Sequence, residues 1–485
     1  MIGLFSRLKD FTSKHTYVTL LIILLLGLIL RLAFFSGMGA SDPLWYSKAA
    51  YNLDKGIDQD NVATLSTRIG LTYPVYLIYN LFGVNDLTSA LFNLVTSMLS
   101  IALMFFFGSL LFGARVGLIA AFLFSIFPLE IVYATKLSSD FPAAFFMGLG
   151  IFIFLYQELK SRKKAGHWYY LAGFTIGISY LIRESTLLIA LFFMSYIIYK
   201  KKLEKNHFLV PLGVLTIFLL EAFIFFQLTG DPLYRNHQSE IALNEANAKH
   251  DFYGRLDLPS GLLHYLWLFL TDSTLSFFYA FIFIAIIYTL FFRKRESNLL
   301  LLWLIPVLLY LSFGSTSFFE YAPFRAVDRY TSIINMPAIL LLAFFLSDKA
   351  TAIKKAVLPA TFIFLLISSI AVMQLREDRD ALKLLRESKP AIDDLGKQSY
   401  IDRRSNIALD YLASYQGNEN LGQYPDSLAA VHDAYVIINH VMIQKLREAG
   451  DQDVFPKEID DIPRSWKLTR TINSGSETID IYYVP

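Results

Sequence analysis

Along most of this chain the apolar residues do not alternate with polar ones; they come in long runs. "YVTLLIILLLGLILRLAFF" (17–35) opens the series, and runs of similar character recur until about residue 374. A helix that crosses a bilayer needs about twenty predominantly apolar residues. The pattern therefore predicts eleven spans, at roughly 17–36, 87–111, 116–134, 141–157, 168–182, 186–199, 208–228, 270–292, 299–317, 331–347 and 356–374. Arg7, Lys9 and Lys14 precede the first span. "KSRKK" (160–164), "KKKLEK" (200–205), "RKRE" (293–296) and Lys349, Lys354 and Lys355 follow the fourth, sixth, eighth and tenth. All five clusters fall on one side, which the positive-inside bias makes cytoplasmic. The N-terminus is then expected inside and the C-terminus outside, in the plasma or inner membrane. "GMGAS" after the first span has small residues suited to signal cleavage, but the apolar run exceeds the roughly 7–15 residues of a signal core. It reads as a retained span.

Four polar pieces fall on the outer side: 37–86, 229–269, about 318–330, and the tail from 376. "STRIGLTYPVYLIYNLFG" in the first and "GLLHYLWLFL" (261–270) in the second are amphipathic and aromatic, as expected of interface helices. In the tail the long apolar runs stop. "DAYVIINHV" and "WKLTRTINSGSETIDIYYV" read as strands, the latter a hairpin turning at Asn473–Ser476. "NIALDYLASY" and "VMIQKLREAG" read as helices, the second closed by Gly450. The expected architecture is an α-helical polytopic membrane domain over 1–375 and a small extracytoplasmic α/β domain over 376–485.

Composition agrees and narrows the chemistry. Hydrophobic residues make up 55% and charged residues 17%, against about a quarter charged in an average soluble domain. A net charge of +2, with no long basic block, argues against nucleic acid as a partner. Cysteine is absent, which excludes disulfides and thiolate chemistry. His237, His250 and His264 share an outer loop with Glu240, Glu245 and Asp251, but without the i, i+4 spacing of metal ligands. A divalent metal is compatible with the chain but not supported by its spacing.

The informative charges gather at the outer ends of spans. Asp42 ("ASDPLWY") and Asp140 ("KLSSDFP") each stand beside a proline early in a helix, so each singly is explained as a helix cap. Their company is harder to explain. Lys136, Arg68, Arg183, Glu184, Arg325, Asp328 and Arg329 lie at or near the same face, where the positive-inside bias disfavours cations. Arg31, inside the first span, must snorkel or meet an anion. Glu221, inside the seventh, is either a partner for an arginine of the site or part of an acceptor pocket. Cations around two carboxylates at the lipid boundary suit a lipid-linked phosphate, which arginine binds bidentately. Pairing among the charges themselves is the plainer alternative.

The order of motifs carries a resemblance. "LRL" ends the first span, "SDPLWYSKAA" follows it, and Arg68 precedes Tyr73-Pro74. Then come "LFGARVGLIAAFLFSIFPLEIVYATKLSSD", "LIRES", "TGDPL" and the Arg329-Tyr330…Pro337 stretch. Over about residues 17–350 this resembles the GT-C superfamily of polyprenyl-phosphate-dependent glycosyltransferases. The nearest branch holds protein O-mannosyltransferases and the aminoarabinose transferases of lipid A. The resemblance implies a polyprenyl-phosphate sugar donor and an extracytoplasmic acceptor. It implies Asp42 as catalytic base, Asp140 as the second acidic residue and Arg68 as a donor-phosphate ligand. The chain departs from the family pattern in two places: Pro43 stands where many members have an acidic residue, and Arg68 lies further than usual from Tyr73-Pro74.

Such a transfer needs a carboxylate to take the acceptor's proton and cations to receive the leaving phosphate. With one base and one displacement, it inverts the anomeric carbon. Lys136, Arg183, Arg325 and Arg329 join Arg68 as candidate phosphate ligands. Trp45, Tyr46, Tyr73, Glu184 and Glu221 are candidate substrate contacts. The rival readings are a transferase or ligase that uses other lipid-linked glycans, and a non-enzymatic lipid or glycan transporter. The transporter reading lacks the inverted repeats and broken helices expected of one.

Overall fold

The computed structural model describes residues 15–55, 63–161, 164–248, 260–292, 294–315, 327–347, 354–376, 380–448 and 455–485. Its helices are α1 (Thr16–Ala33), α2 (Asp42–Tyr51), α3 (Ile69–Phe82), α4 (Asp86–Phe112), α5 (Ala114–Ile126), α6 (Pro128–Ala134), α7 (Asp140–Leu159), α8 (Gly166–Ile182), α9 (Ala190–Lys200), α10 (Leu209–Thr229), α11 (Tyr234–Ala248), α12 (Ser260–Thr271), α13 (Ser276–Phe291), α14 (Arg295–Phe313), α15 (Ser332–Ser347) and α16 (Lys354–Leu375). Among the described residues, six helices are long and apolar enough to cross a membrane unaided, and the pair α5/α6 makes a seventh.

Within the described residues helix underlies each predicted span, but six or seven rather than eleven meet that length and apolarity, and three are not single rods. The span expected over 116–134 bends by 62° between α5 and α6, where Phe127 is extended and Pro128 opens the next helix. Proline suits a first helical turn because its missing N–H needs no partner there. The span expected over 186–199 begins as a 3-10 helix, Glu184–Ile189. The one expected over 270–292 starts inside α12 and breaks before α13. Helix α8 meets α10 through Gly173 and Gly213. A Cβ on either would collide with the opposing backbone, the close approach that small residues permit between membrane helices.

Apolar side chains cover the rim of the bundle: Leu21, Leu25 and Ile29 of α1 and Leu219 and Phe223 of α10 are all exposed. Arg31 does not snorkel. It is fully buried and donates to Ser97 Oγ at 2.9 Å and to the Gly27 and Ser125 carbonyls at 3.1 Å each.

The tail forms α17 (Lys383–Asp393), β1 (Ser399–Ile401), α18 (Arg403–Leu412), β2 (Leu421–Gln423), β3 (Ala434–Asn439), α19 (His440–Glu448), β4 (Lys467–Ser474) and β5 (Glu477–Val484). The sheet order is β2-β1-β3-β5-β4, with the first three strands parallel and the last pair antiparallel to each other. The expected hairpin is β4/β5, closed between Ser474 and Glu477 with Gly475 at φ +65°, which glycine adopts without steric cost. Gly450 lies outside the described residues.

Alternation along β3 sends Val436 and Ile438 to one core, with Ile443 and Trp466. It sends Ile437 to the other face. There Ile437, Ile479 and Ile481 join a core that also holds Leu44 and Tyr46 of α2 and Leu71 and Val75 of α3. The sheet therefore caps one end of the helical bundle and shares its hydrophobic interior with the first inter-helix connection.

Candidate active site

The capping role expected for the two aspartates is not what they do. Asp42 and Asp140 are the first residues of α2 and α7, and their N-caps, Ser41 and Ser139, make no side-chain capping bond. Both carboxylates instead meet guanidinium groups at the sheet-bearing end of the bundle. Arg183 pairs with Asp140: its Nη1 donates to Oδ2 at 3.0 Å and its Nε, which donates to Ser185 Oγ, lies 2.9 Å from Oδ1, and both side chains are buried. Arg329 Nη1 lies 2.8 Å from Asp42 Oδ2, and its Nε lies 3.9 Å from Asp140 Oδ2. Arg329 thus stands between the two acids. The ring of Tyr330 lies under both arginines, 4.8 Å from the Arg183 carbon and 5.8 Å from that of Arg329.

Arg68 closes the group from the side of the first connection. Its Nη1 donates to Tyr46 OH and, at 3.2 Å, to Ser139 Oγ, and its Nη2 pairs with Glu184 Oε2 at 3.3 Å. Ser139 Oγ also accepts from Arg183 Nη1 at 3.1 Å, so one hydroxyl ties two arginines together. Glu184 is held from its other side by Arg235, at 2.7 Å, and Arg235 reaches on to Glu221.

These neighbours set the acid–base character of the site. Burial pushes the Asp42 carboxyl up, but the charge and hydrogen bond of Arg329, with Arg68 and Arg183 behind it, prevail and hold it below the usual aspartate value. Glu184 is likewise held well below its ordinary range. Burial opposes this, but Arg68 and Arg235 outweigh it. Burial pushes the Tyr46 hydroxyl up, so it remains a neutral donor. These ion pairs are all between carboxylates and arginines.

Comparison with known proteins gives this geometry a context. No curated protein matches the sequence. Residues 69–226 match the profile of the dolichyl-phosphate-mannose-protein mannosyltransferase family. ArnT from Cupriavidus metallidurans in the apo state superimposes with a TM-score of 0.64 at 12% identity, over 97% of this chain and 98% of that one. The same protein bound to undecaprenyl phosphate gives 0.63 at 11%, over 96% and 98%. The oligosaccharyltransferase of Archaeoglobus fulgidus, tethered to an acceptor peptide, gives 0.56 at 15%, over 98% of this chain and 75% of that chain. The chain shares the fold of these membrane proteins.

Within this helical bundle the site residues read from sequence separate into three groups. Asp42, Asp140, Arg68, Arg183, Arg329, Tyr46 and Glu184 come together as described. Lys136 stands close by: its Cε crowds Gly39, and its Nζ is 5.7 Å from the Tyr133 ring. Glu221 joins only through Arg235, so of its two expected roles the structure contains the arginine pairing. Trp45 lies under the Arg403 guanidinium at 4.9 Å. Tyr73 faces outward at 54% exposure beside Tyr76. Arg325 lies outside the described residues, as do His250 and Asp251; His237 pairs with Asp231 at 2.7 Å.

Sequence reasoning missed Arg235, Ser139 and Tyr330. Arg235 had a signal, since it follows Glu221 closely enough in "TGDPLYRN" to return to it. Among the described residues, one group could hold a cation: Glu158, Glu204 and His207. Lys164 Nζ already lies 2.9–3.2 Å from both of those carboxylates, so the charge is met from within the chain.

Proposed function

We propose that this protein transfers a sugar from a polyprenyl-phosphate donor to a hydroxyl acceptor at the extracytoplasmic membrane face, with inversion. In this reading the chain crosses the membrane eleven times, the N-terminus is cytoplasmic, and the sheet-bearing end with the tail is outside. One observation carries the reading: Arg183 and Arg329 pair with two helix-initial carboxylates at the end of an apolar bundle, and Arg68 stands beside them, bonded to the same Ser139 as Arg183. The solved ArnT relative is described bound to undecaprenyl phosphate, a ligand of the chemistry this cluster suits.

The donor's phosphate competes for the guanidinium groups that the acids now hold. Arginine binds phosphate with two parallel bonds, so Arg329, Arg183 and Arg68 can accept it without leaving their places. When Arg329 turns its charge to the phosphate, Asp42 loses the strongest attraction that depresses its basicity. Donor binding therefore raises the proton affinity of Asp42 when a base is needed. The acceptor hydroxyl attacks the anomeric carbon and gives its proton to Asp42. The bond from that carbon to the phosphate oxygen breaks, and the arginines take up the charge on the departing lipid phosphate. Asp140, clamped by Arg183, orients the cluster.

The test is to incubate purified protein with a panel of radiolabelled polyprenyl-phosphate sugars and a membrane fraction as acceptor. Release of polyprenyl phosphate coupled to glycosylated product supports the reading. Retention of every donor intact, by protein that binds undecaprenyl phosphate normally, contradicts it.

A further inference from the structure

Helix α2 has two working sides. At about 100° per residue, Asp42 and Tyr46 share the flank that meets the arginines, while Ser47 and Tyr51 lie about 140–180° away. The C-terminal segment holds that far flank. Tyr415 OH donates to Ser47 Oγ at 2.9 Å, and its ring stacks on Tyr51 at 4.6 Å. From Ser47 a line of hydroxyls runs inward: Ser47 to Tyr79 at 2.7 Å, Tyr79 to Ser89 at 2.7 Å and Ser89 to Tyr411 at 3.0 Å. It ends where Tyr411 OH donates to Asp86 Oδ1 at 2.8 Å. Ser47, Tyr79, Ser89 and Tyr411 are all buried.

Two further features show that this contact is built. Ser414 and Tyr415 both have positive φ, +55° and +58°, a conformation that non-glycine residues adopt only at a steric cost. Such backbones persist where the surroundings hold them. Here Ser414 Oγ donates to Val84 O at 3.1 Å while Tyr415 is turned toward α2. Helix α2 also needs outside support. It has ten residues and no side-chain cap, shorter than the roughly 12–15 residues at which isolated helices become even marginally stable.

We propose that Tyr415 and Tyr411 are positioning residues for sugar transfer: through the hydroxyl line they fix the rotation and depth of α2 and so hold the Asp42 carboxylate at the arginine cluster. This rests on Asp42 being the base, as argued above. The C-terminal segment then acts on the reaction centre itself.

The chain has no cysteine, so a single S41C introduces the sole spin-labelling site, at the exposed start of α2. Tyr415→Phe keeps the stacked ring and removes only the hydroxyl; Tyr411→Phe is added to it. Tyr424→Phe serves as the control, because that hydroxyl bonds the Ile437 carbonyl within the sheet and does not touch α2. With the polyprenyl-phosphate sugar accepted in the donor panel, Y411F/Y415F is expected to lose roughly 10- to 100-fold in kcat with unchanged donor KM and thermal midpoint. The label on S41C is expected to gain a mobile component. Y424F is expected to keep its kcat and an immobile label. An unchanged label and kcat in Y411F/Y415F, or an equal loss in Y424F, overturns the proposal. Asp42→Asn, run alongside, separates the two readings. An inactive D42N with a normal Y411F/Y415F overturns the positioning role alone, whereas an active D42N overturns the base assignment and this role with it.

Discussion

Removing the Arg329 charge is expected to move the acid limb of the pH–rate profile upward. Arg329→Gln deletes the guanidinium 2.8 Å from the Asp42 carboxylate. Two unit charges about 4 Å apart attract by about 1 kcal/mol in bulk water and about 4 kcal/mol at the effective dielectric near a protein surface. Arg329 is 27% exposed and Asp42 33%, so water screens the pair and about 1–2 kcal/mol is the relevant range. That is a rise of about 0.7–1.5 pH units in the proton affinity of Asp42. The sign follows from the role: Asp42 acts deprotonated, and in the native protein its carboxyl is held below the usual value, so activity persists into acid. Without Arg329 the burial that opposes ionisation prevails, and activity fails at a higher pH. The assay is kcat/KM for the accepted donor from pH 4 to 8, since kcat/KM reports groups of the free enzyme. The limb of kcat is expected to shift less, because bound phosphate already shares the Arg329 charge. A limb of kcat/KM that stays in place or moves to lower pH refutes this account of Asp42, whatever happens to the amplitude.

Two further outcomes are expected. Arg235→Leu strands the buried Glu221 and loosens Glu184, and breaking a buried pair costs about 3–5 kcal/mol; Arg235→Leu with Glu221→Leu should recover much of that loss in thermal unfolding in detergent, and no recovery would show that the pair is not what holds α11 to α10. In sealed vesicles of known orientation, protease should reach the 376–485 segment from the extracytoplasmic side; cleavage from the cytoplasmic side alone would place the arginine cluster on the wrong face for the proposed donor.

Much of this fold was legible because membrane helices declare themselves by length, and length survives in a single sequence. The hairpin at Ser474–Glu477 was legible for a similar reason: its turn chemistry and alternation are local. Breaks inside spans were not, because a hydropathy average is blind to the single extended residue, Phe127, that bends α5 against α6. The candidate site was half legible. Asp42, Asp140, Arg68, Arg183 and Arg329 stand out as charges where apolar runs end. Ser139 does not, since the arginines that bond it come from distant parts of the chain, and Arg235 is signalled only by Glu221 in the preceding helix. The grip of the C-terminal segment on α2 was beyond reach. Tyr411 and Tyr415 look like ordinary helix-end aromatics until folding brings them to Ser47 and Asp86.

The most direct measurement of the central claim compares Asp42→Asn with the native protein in two assays on the same preparation: undecaprenyl phosphate binding, and turnover of the accepted polyprenyl-phosphate sugar. Asparagine keeps the size of the side chain and its ability to start a helix, but cannot take a proton. The account predicts native-like lipid-phosphate binding and thermal stability, with turnover lowered roughly a hundredfold or more. Near-normal turnover in a stable D42N protein would contradict it.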